Sequence, residues 1–287
     1  MHKIDILYKK ALQDILEKGS EEEDKRLFHK EQTTNESKTK AIAGYTFQFD
    51  MEEDGFPLIS LRKLPVRLFV AETIWFLTGS NKVEGFLDQY TKIWDFFKED
   101  DGTVTGYGNR WRKHFDRDQV IGVLEMLKKD PTSRHGVVMT WDPSSDSLSN
   151  GIKRKNVPCQ VGFIVNITNG RLNFHSIWRS VDMILGFPSD VPGNALLAHI
   201  FAAYLGLKVG IYTNYIANAH IYNIHYEIAE ELIARDNSQQ KIEIEAKEDW
   251  FVRGSKGDHS LVKEITSIIK PQYKDAGEPM KGIKIVV

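Results

Sequence analysis

One domain in which helices and strands share a single core is the architecture that this sequence points to, and three features say so. At 287 residues with 41% apolar composition, the chain can bury one large core in place of two small ones. Residues 3–18 repeat Ile4, Leu7, Tyr8, Ala11, Leu12, Ile15 and Leu16 at helical spacing. By contrast, Val161, Phe163, Val165 and Ile167 alternate, reach Asn169-Gly170, and return as Leu172, Phe174, Ser176 and Trp178. That second pattern is a hairpin: period two selects the buried face, and Asn-Gly supplies the positive φ of a tight turn.

The other elements follow in chain order. The first helix ends near Gly19, and residues 20–40, polar and charged from Glu21-Glu22-Glu23 to Lys38-Thr39-Lys40, read as a solvated loop. Residues 41–50 read as a strand and 65–76 as an apolar helix stopped by Gly79. Inside that helix Glu72 is expected at an exposed edge, because an unpaired carboxylate is seldom buried. Ile93-Trp94-Asp95-Phe96-Phe97 is an aromatic cluster suited to a core. Residues 105–112 mix glycines with rings and guanidinium groups but lack the preceding strand of a nucleotide-binding glycine motif.

A helix over 120–128 stops at Asp130-Pro131, and Arg134-His135 precede a strand at 136–141. Pro188 and Pro192 flank the start of a long buried helix, 193–205. Residues 209–216 read as a strand, and Ala219-His220-Ile221-Tyr222 opens a further helix running to Ile233. A strand at 241–244 is expected, with the remainder polar and irregular until the apolar end at 283–287. No repeat or linker divides the chain, so residues 1–287 are expected to form one domain.

Charge and cysteine content narrow the chemistry. With 38 basic and 40 acidic residues the net charge is -2, which gives no general field for nucleic acid or an anionic membrane. No apolar run reaches membrane-spanning length, and Met1-His2-Lys3-Ile4-Asp5 lacks a signal-peptide core. A single cysteine makes neither an internal disulfide nor a thiolate metal cage, so a reducing, cytoplasmic setting without a metal is expected.

That cysteine is Cys159, placed by Pro158 at one end of the hairpin, while Arg179, Ser180, Asp182 and Asp190 follow the returning strand. A lone cysteine is more often a small buried hydrophobe, but a nearby guanidinium lowers the thiol pKa and raises its reactive thiolate fraction. No His with Asn or Asp flanks it as in a cysteine protease. Conjugate addition to an electron-poor ring needs only a thiolate and an acid-base network.

Pro158-Cys159, Arg179-Ser180-x-Asp182, Leu185-Gly186-x-Pro188 and Ala219-His220-x-Tyr222, in this order and spacing, resemble the thymidylate synthase family. Upstream, Gly55-Phe56-Pro57-Leu58, Glu72 with Trp75-Phe76, Ile93-Trp94-Asp95, Tyr107-Gly108 with Trp111-Arg112, and Arg134 before a strand extend the likeness. It runs to about residue 226 and returns weakly at the C-terminus. The resemblance implies an α+β (α/β) single domain with a mixed, twisted central sheet flanked by helices, pairing through the sheet face as a homodimer.

It also implies that Cys159 adds to ring position six of a pyrimidine nucleoside monophosphate. Position five then captures the one-carbon unit of 5,10-methylenetetrahydrofolate, the cosubstrate. Arg179 and Ser180 would hold the 5'-phosphate, with Arg134 reaching it from the other subunit, and His220 and Tyr222 would bind the sugar 3'-hydroxyl. Glu72 and Tyr107 would organise proton-moving waters. Ile93, Trp94, Gly186 and the Val287 carboxylate would close around the folate, and Asp182 would serve nucleotide and folate alike.

Asp190 stands where thymidylate synthases carry the asparagine that selects the base. Cytosine offers an amino donor and an unprotonated ring nitrogen, which a carboxyl with one shared proton can match. In this respect the chain resembles the deoxycytidylate (dCMP) hydroxymethylases, a phage-associated branch, and host cytoplasm is the setting that this implies. The plain alternative for Asp190 is a helix cap before Val191-Pro192. The alternatives for function are dCMP methylation, thymidylate synthesis, or a silent nucleotide- or RNA-binding regulator.

Further departures are Asn156 for an apolar residue, Ser189 for phenylalanine, Gln160 for histidine and Trp178 for glutamine. Asn156 and Ser189 would make the folate side polar enough to seat an attacking water. His135 replaces the second arginine of a usual pair, and Thr34 falls near the usual loop arginine, with Lys38 or Lys40 to compensate.

Overall fold

Strand pairing organises the molecule, seen in a computed structural model that describes residues 2–23, 38–146, 157–274, 276–280 and 282–286. One mixed sheet runs in the order β1 (Ser20–Glu23), β2 (Lys38–Asp50), β7 (Lys208–Tyr222), β5 (Arg171–Trp178), β4 (Gln160–Thr168) and β3 (Val137–Met139). A short β6 (Val181–Asp182) pairs with β7 beside it. The β5–β7 pairing is parallel, which demands a crossover, and the crossover is the long helix α6 (Phe187–Tyr204). Helix α1 (Lys3–Lys18) packs on β2 and β7, and α2 (Val66–Thr78) packs on α6.

The β4–β5 hairpin has the expected register from its turn to Gly162 and Ile177, beyond which a bulge shifts the pairing and sets Gln160 opposite Trp178. Thr168 pairs with Arg171 across Asn169 and Gly170, whose φ values are 52° and 71°, both positive as a two-residue turn requires. Alternation then buries Phe163, Val165, Leu172 and Phe174 on one face. On the opposite face Val137, Met139 and Tyr215 remain 44%, 40% and 45% exposed.

Several boundaries differ from the sequence expectation, each for an identifiable reason. The charged run after Gly19 is an edge strand, β1, whose residues are all exposed, so its polarity is compatible with pairing to Lys38–Ala41 of β2. Thr34 lies outside the described residues. Helix α6 begins at Phe187, not 193: Pro188 occupies a first-turn position that needs no N–H, and Pro192 forfeits one internal bond. Residues 219–222 finish strand β7 in place of opening a helix, because Ala41 and Asp182 both pair with His220. The helix expected there is α7 (Tyr226–Ala234).

Two helices, α8 (Trp250–Ser255) and α9 (His259–Ile269), occupy the segment expected to be irregular. Leu261, Val262, Ile265 and Ile269 are buried at helical spacing, and Asp258 caps α9 by accepting from Ser260 N. Full burial of one such side chain stabilises by about 1.5–3 kcal/mol. Residues 241–244 form no ladder; the Gln272 side-chain amide takes both backbone groups of Glu243, at 2.9 Å each, where a strand partner would sit. The shorter elements are α3 (Tyr107–Arg112), α4 (Gln119–Lys129) and α5 (Pro143–Asp146), and the strand expected over 136–141 narrows to β3. No helix among the described residues is long and apolar enough to cross a membrane.

Candidate active site

The hairpin register brings the thiol and the guanidinium together. Gln160 opposes Trp178, and one step outward Arg179 N donates to Cys159 O at 2.9 Å. The Arg179 side chain then folds back: Nε donates to Pro158 O at 2.8 Å and Nη2 to Val157 O at 2.9 Å, with Nη2 3.6 Å from Cys159 Sγ. A fixed cation at that range favours a thiolate. The Nη1 hydrogens make no bond among the described residues and remain available to an anion.

Inward of this corner lies a cavity of about 80 Å³. Its walls include Glu72 from α2, Tyr107 from α3, Gln160 and Trp178 from the hairpin, and Ser189, Asp190 and Asn194 from α6. Glu72 therefore is not on a surface edge. What looks like the polar side of its helix faces this cavity, and Trp94 Nε1 donates to Glu72 Oε1. Burial without a neighbouring cation pushes the Glu72 carboxyl up to about 7.

Burial, followed by the charges of Glu72 and Asp182, also holds the Asp190 carboxyl well above the ordinary carboxylate range. No side chain caps α6. Asp190 sits in its first turn and lines the cavity, so the helix-cap alternative does not describe it. Burial raises the Tyr107 phenol as well, helped by Cys159 and Asp190. Near neutral pH the cavity can thus hold a carboxyl that both donates and accepts.

A second corner is assembled by the β6–β7 pairing, which sets Asp182 beside His220. Ser180 Oγ lies 3.3 Å from His220 Nδ1, and the His220 and Tyr222 rings meet edge to face at 5.2 Å. Asp182 Oδ1 accepts from Ile184 N at 2.8 Å and Leu185 N at 3.1 Å, shaping the turn into α6. Gly186 completes that turn: a Cβ there would lie 3.1 Å from the Asp190 carboxyl and 3.2 Å from Asp182 O. Trp94 packs on Trp75 and Phe76, while its neighbour Ile93 is 39% exposed.

Other expected participants are not gathered here. Arg134 is exposed just before β3, outside the cavity wall. Val287 and Asn156 lie outside the described residues. Lys40 donates to Leu16 O at 2.9 Å and lies over the Tyr226 ring, which leaves further N–H groups of its ammonium for other partners. Among the described residues no group of three or more His, Cys, Asp or Glu could hold a metal ion.

The sequence reading missed Asn194, whose Oδ1 accepts from Gln160 Nε2 at 2.9 Å and whose Nδ2 donates to Asp190 O at 2.9 Å. Its signal was there, as a lone amide in an otherwise apolar helix, four residues after Asp190.

The family profile described as thymidylate synthase matches residues 6–262. The solved structure of thermostable thymidylate synthase A from Bacillus subtilis superposes with a TM-score of 0.71 at 26% identity, covering 81% of this chain and 84% of that one. A mixed sheet with this cavity beneath its hairpin is accordingly the frame of a one-carbon transferase. The chain belongs to the thymidylate synthase family, whose members use methylenetetrahydrofolate as cosubstrate.

Proposed function

We propose that this enzyme converts dCMP to 5-hydroxymethyl-dCMP, with methylenetetrahydrofolate as one-carbon donor and tetrahydrofolate as coproduct. The observation that supports this most is the Asp190 carboxyl, which lines the cavity and is held toward its protonated form. Its carbonyl oxygen accepts from the cytosine amino group, and its proton bridges the ring nitrogen. Cys159 adds to carbon six, Arg179 stabilises the thiolate and meets the phosphate, and Glu72 moves protons to and from water. The exposed row of Val137, Met139 and Tyr215 supports sheet-face pairing of two copies, which would bring the partner's Arg134 to the phosphate.

A second reading is favoured by the same carboxyl. When neutral it can donate to the four-position oxygen of uracil and accept from the ring N–H, which would permit thymidylate synthesis from deoxyuridylate (dUMP). The two readings separate with pH. Cytosine nitrogen and carboxyl hold one proton between them more tightly than the carboxyl holds it alone. Raising pH therefore suppresses turnover of dUMP before that of dCMP. Turnover of both nucleotides across pH 6 to 9, with absorbance of dihydrofolate followed throughout, tests the proposal. Efficient dCMP turnover without dihydrofolate supports it, and turnover confined to dUMP overturns it.

A further inference from the structure

Gln160 and Trp178 are the first cross-strand pair of the β4–β5 hairpin, so their side chains leave the sheet side by side on one face. Both line the cavity shared by Glu72 and Asp190, and they are 0% and 2% exposed. Gln160 commits its Nε2 to Asn194, which is itself anchored on the Asp190 carbonyl. The amide is thereby oriented, and its Oε1 is left buried with no partner among the described residues. Trp178 Nε1 is likewise buried with no partner.

An orphan acceptor beside an orphan donor is an unusual expense in a buried wall, since each forgoes its hydrogen bonds to water. Together they are complementary to one water molecule, and the cavity has room for more than one. Neither atom is needed for the cytosine contacts assigned to Asp190 or for the thiol chemistry of Cys159. Of the acid-base groups that line the same cavity, Glu72, Tyr107 and Asp190, the last is assigned to the base, and Glu72 is the carboxyl left to exchange a proton with water.

We infer that Trp178 and Gln160 are positioning residues that hold the water destined to become the product hydroxyl. This rests on the hydroxymethylase reading. Trp178 Nε1–H donates to the water oxygen, Gln160 Oε1 accepts one hydrogen, and Glu72 takes the other. That leaves one lone pair for the exocyclic methylene carbon on ring position five. As the C–O bond forms, the water proton passes to Glu72 and the methylene π pair moves into the ring toward the nitrogen facing Asp190. The returning pair then expels the Cys159 thiolate from carbon six. Water supplies both the hydroxyl and the proton, and no oxidant or reductant is consumed.

The test uses the full chain with dCMP labelled with tritium at carbon five, methylenetetrahydrofolate and added 2-mercaptoethanol. Tritium release reports the steps through loss of the hydrogen on carbon five, and also that a variant is folded and binds its substrates, while the thioether reports that the methylene has formed. Product mass then reports whether water or thiol captured the methylene. Trp178→Phe keeps an aromatic ring and loses the donor with part of the ring volume, while Gln160→Leu loses the acceptor together with the Nε2 donor to Asn194. For each, tritium release is expected within about threefold of the parent, whereas the hydroxymethyl product falls about tenfold and the thioether rises. Release and product falling together would mark a merely structural role and overturn the inference, as would an unchanged product ratio in both variants. If the parent itself forms no hydroxymethyl product from dCMP, the functional reading falls, and the water site with it.

Discussion

Glu72 and Glu264 each accept a hydrogen bond from an indole N–H, Trp94 for the first and Trp250 at 3.3 Å for the second. Yet they titrate on opposite sides of the ordinary glutamate value. Glu264 also receives Lys247 at 2.7 Å and Arg253 at 2.7 Å, and these bonds lower it to about 2. Among the described residues no cation pairs with Glu72, and burial lifts it to about 7. The indole is common to both, so the neighbouring cations and water decide the outcome. A carboxylate neutralised by its neighbours serves the fold, while one left uncompensated in a cavity is available to exchange protons.

The strongest way to break this contrast is to remove the group that the cavity is proposed to serve. Cys159→Ala is expected to lower turnover by ~10⁴-fold or more, with nucleotide binding kept within a few-fold, measured by steady-state kinetics and calorimetry. Comparable turnover in the variant would place the chemistry elsewhere. Next in size, Asp190→Asn should move the ratio of kcat/KM for dCMP over dUMP by ~10²–10⁴-fold toward dUMP, because mismatched buried polar groups go unpaired.

Glu72→Gln should reduce turnover by ~10²-fold or more while making the protein more stable at pH 8. The sign follows from the raised folded-state pKa. Its contribution to stability is complete below the unfolded value of 4.5 and is lost as pH rises through about 7. The gain in the variant is at most ~3 kcal/mol above that window and closes toward pH 4, as read from urea melts. The smallest effect is expected from Glu264→Gln. It should cost roughly 1 kcal/mol at neutral pH, leave turnover unchanged, and converge with the parent as pH falls from 4.5 through about 2. A loss of turnover in that variant would erase the distinction between the two carboxylates.

How far the site could be read ahead depended on whether the relevant contact was local. Asn169-Gly170 announces the turn that fixes the register as far as Gly162 and Ile177, but Cys159 and Arg179 meet only because a bulge between Gln160 and Gly162 then shifts the pairing by one residue, which no local pattern announces. Glu72 reads as an edge residue because periodicity separates polar from apolar faces but not a cavity from bulk water. The start of α6 was obscured by Pro188 and Pro192, which cost the helix only one bond. Extension of β7 through His220 arises from pairing with β2, whose partner residues lie about 180 positions away. For α8 and α9 the cue was legible, since Leu261, Val262, Ile265 and Ile269 share one helical face beneath a polar composition.

The most direct measurement is the mass of the product formed from dCMP and methylenetetrahydrofolate in water enriched with heavy oxygen. A hydroxymethylated nucleotide carrying the heavy label, with no dihydrofolate formed, is the result expected if Asp190 selects cytosine and water resolves the methylene. A methylated nucleotide accompanied by dihydrofolate, or no reaction of dCMP beside brisk turnover of dUMP, would contradict it.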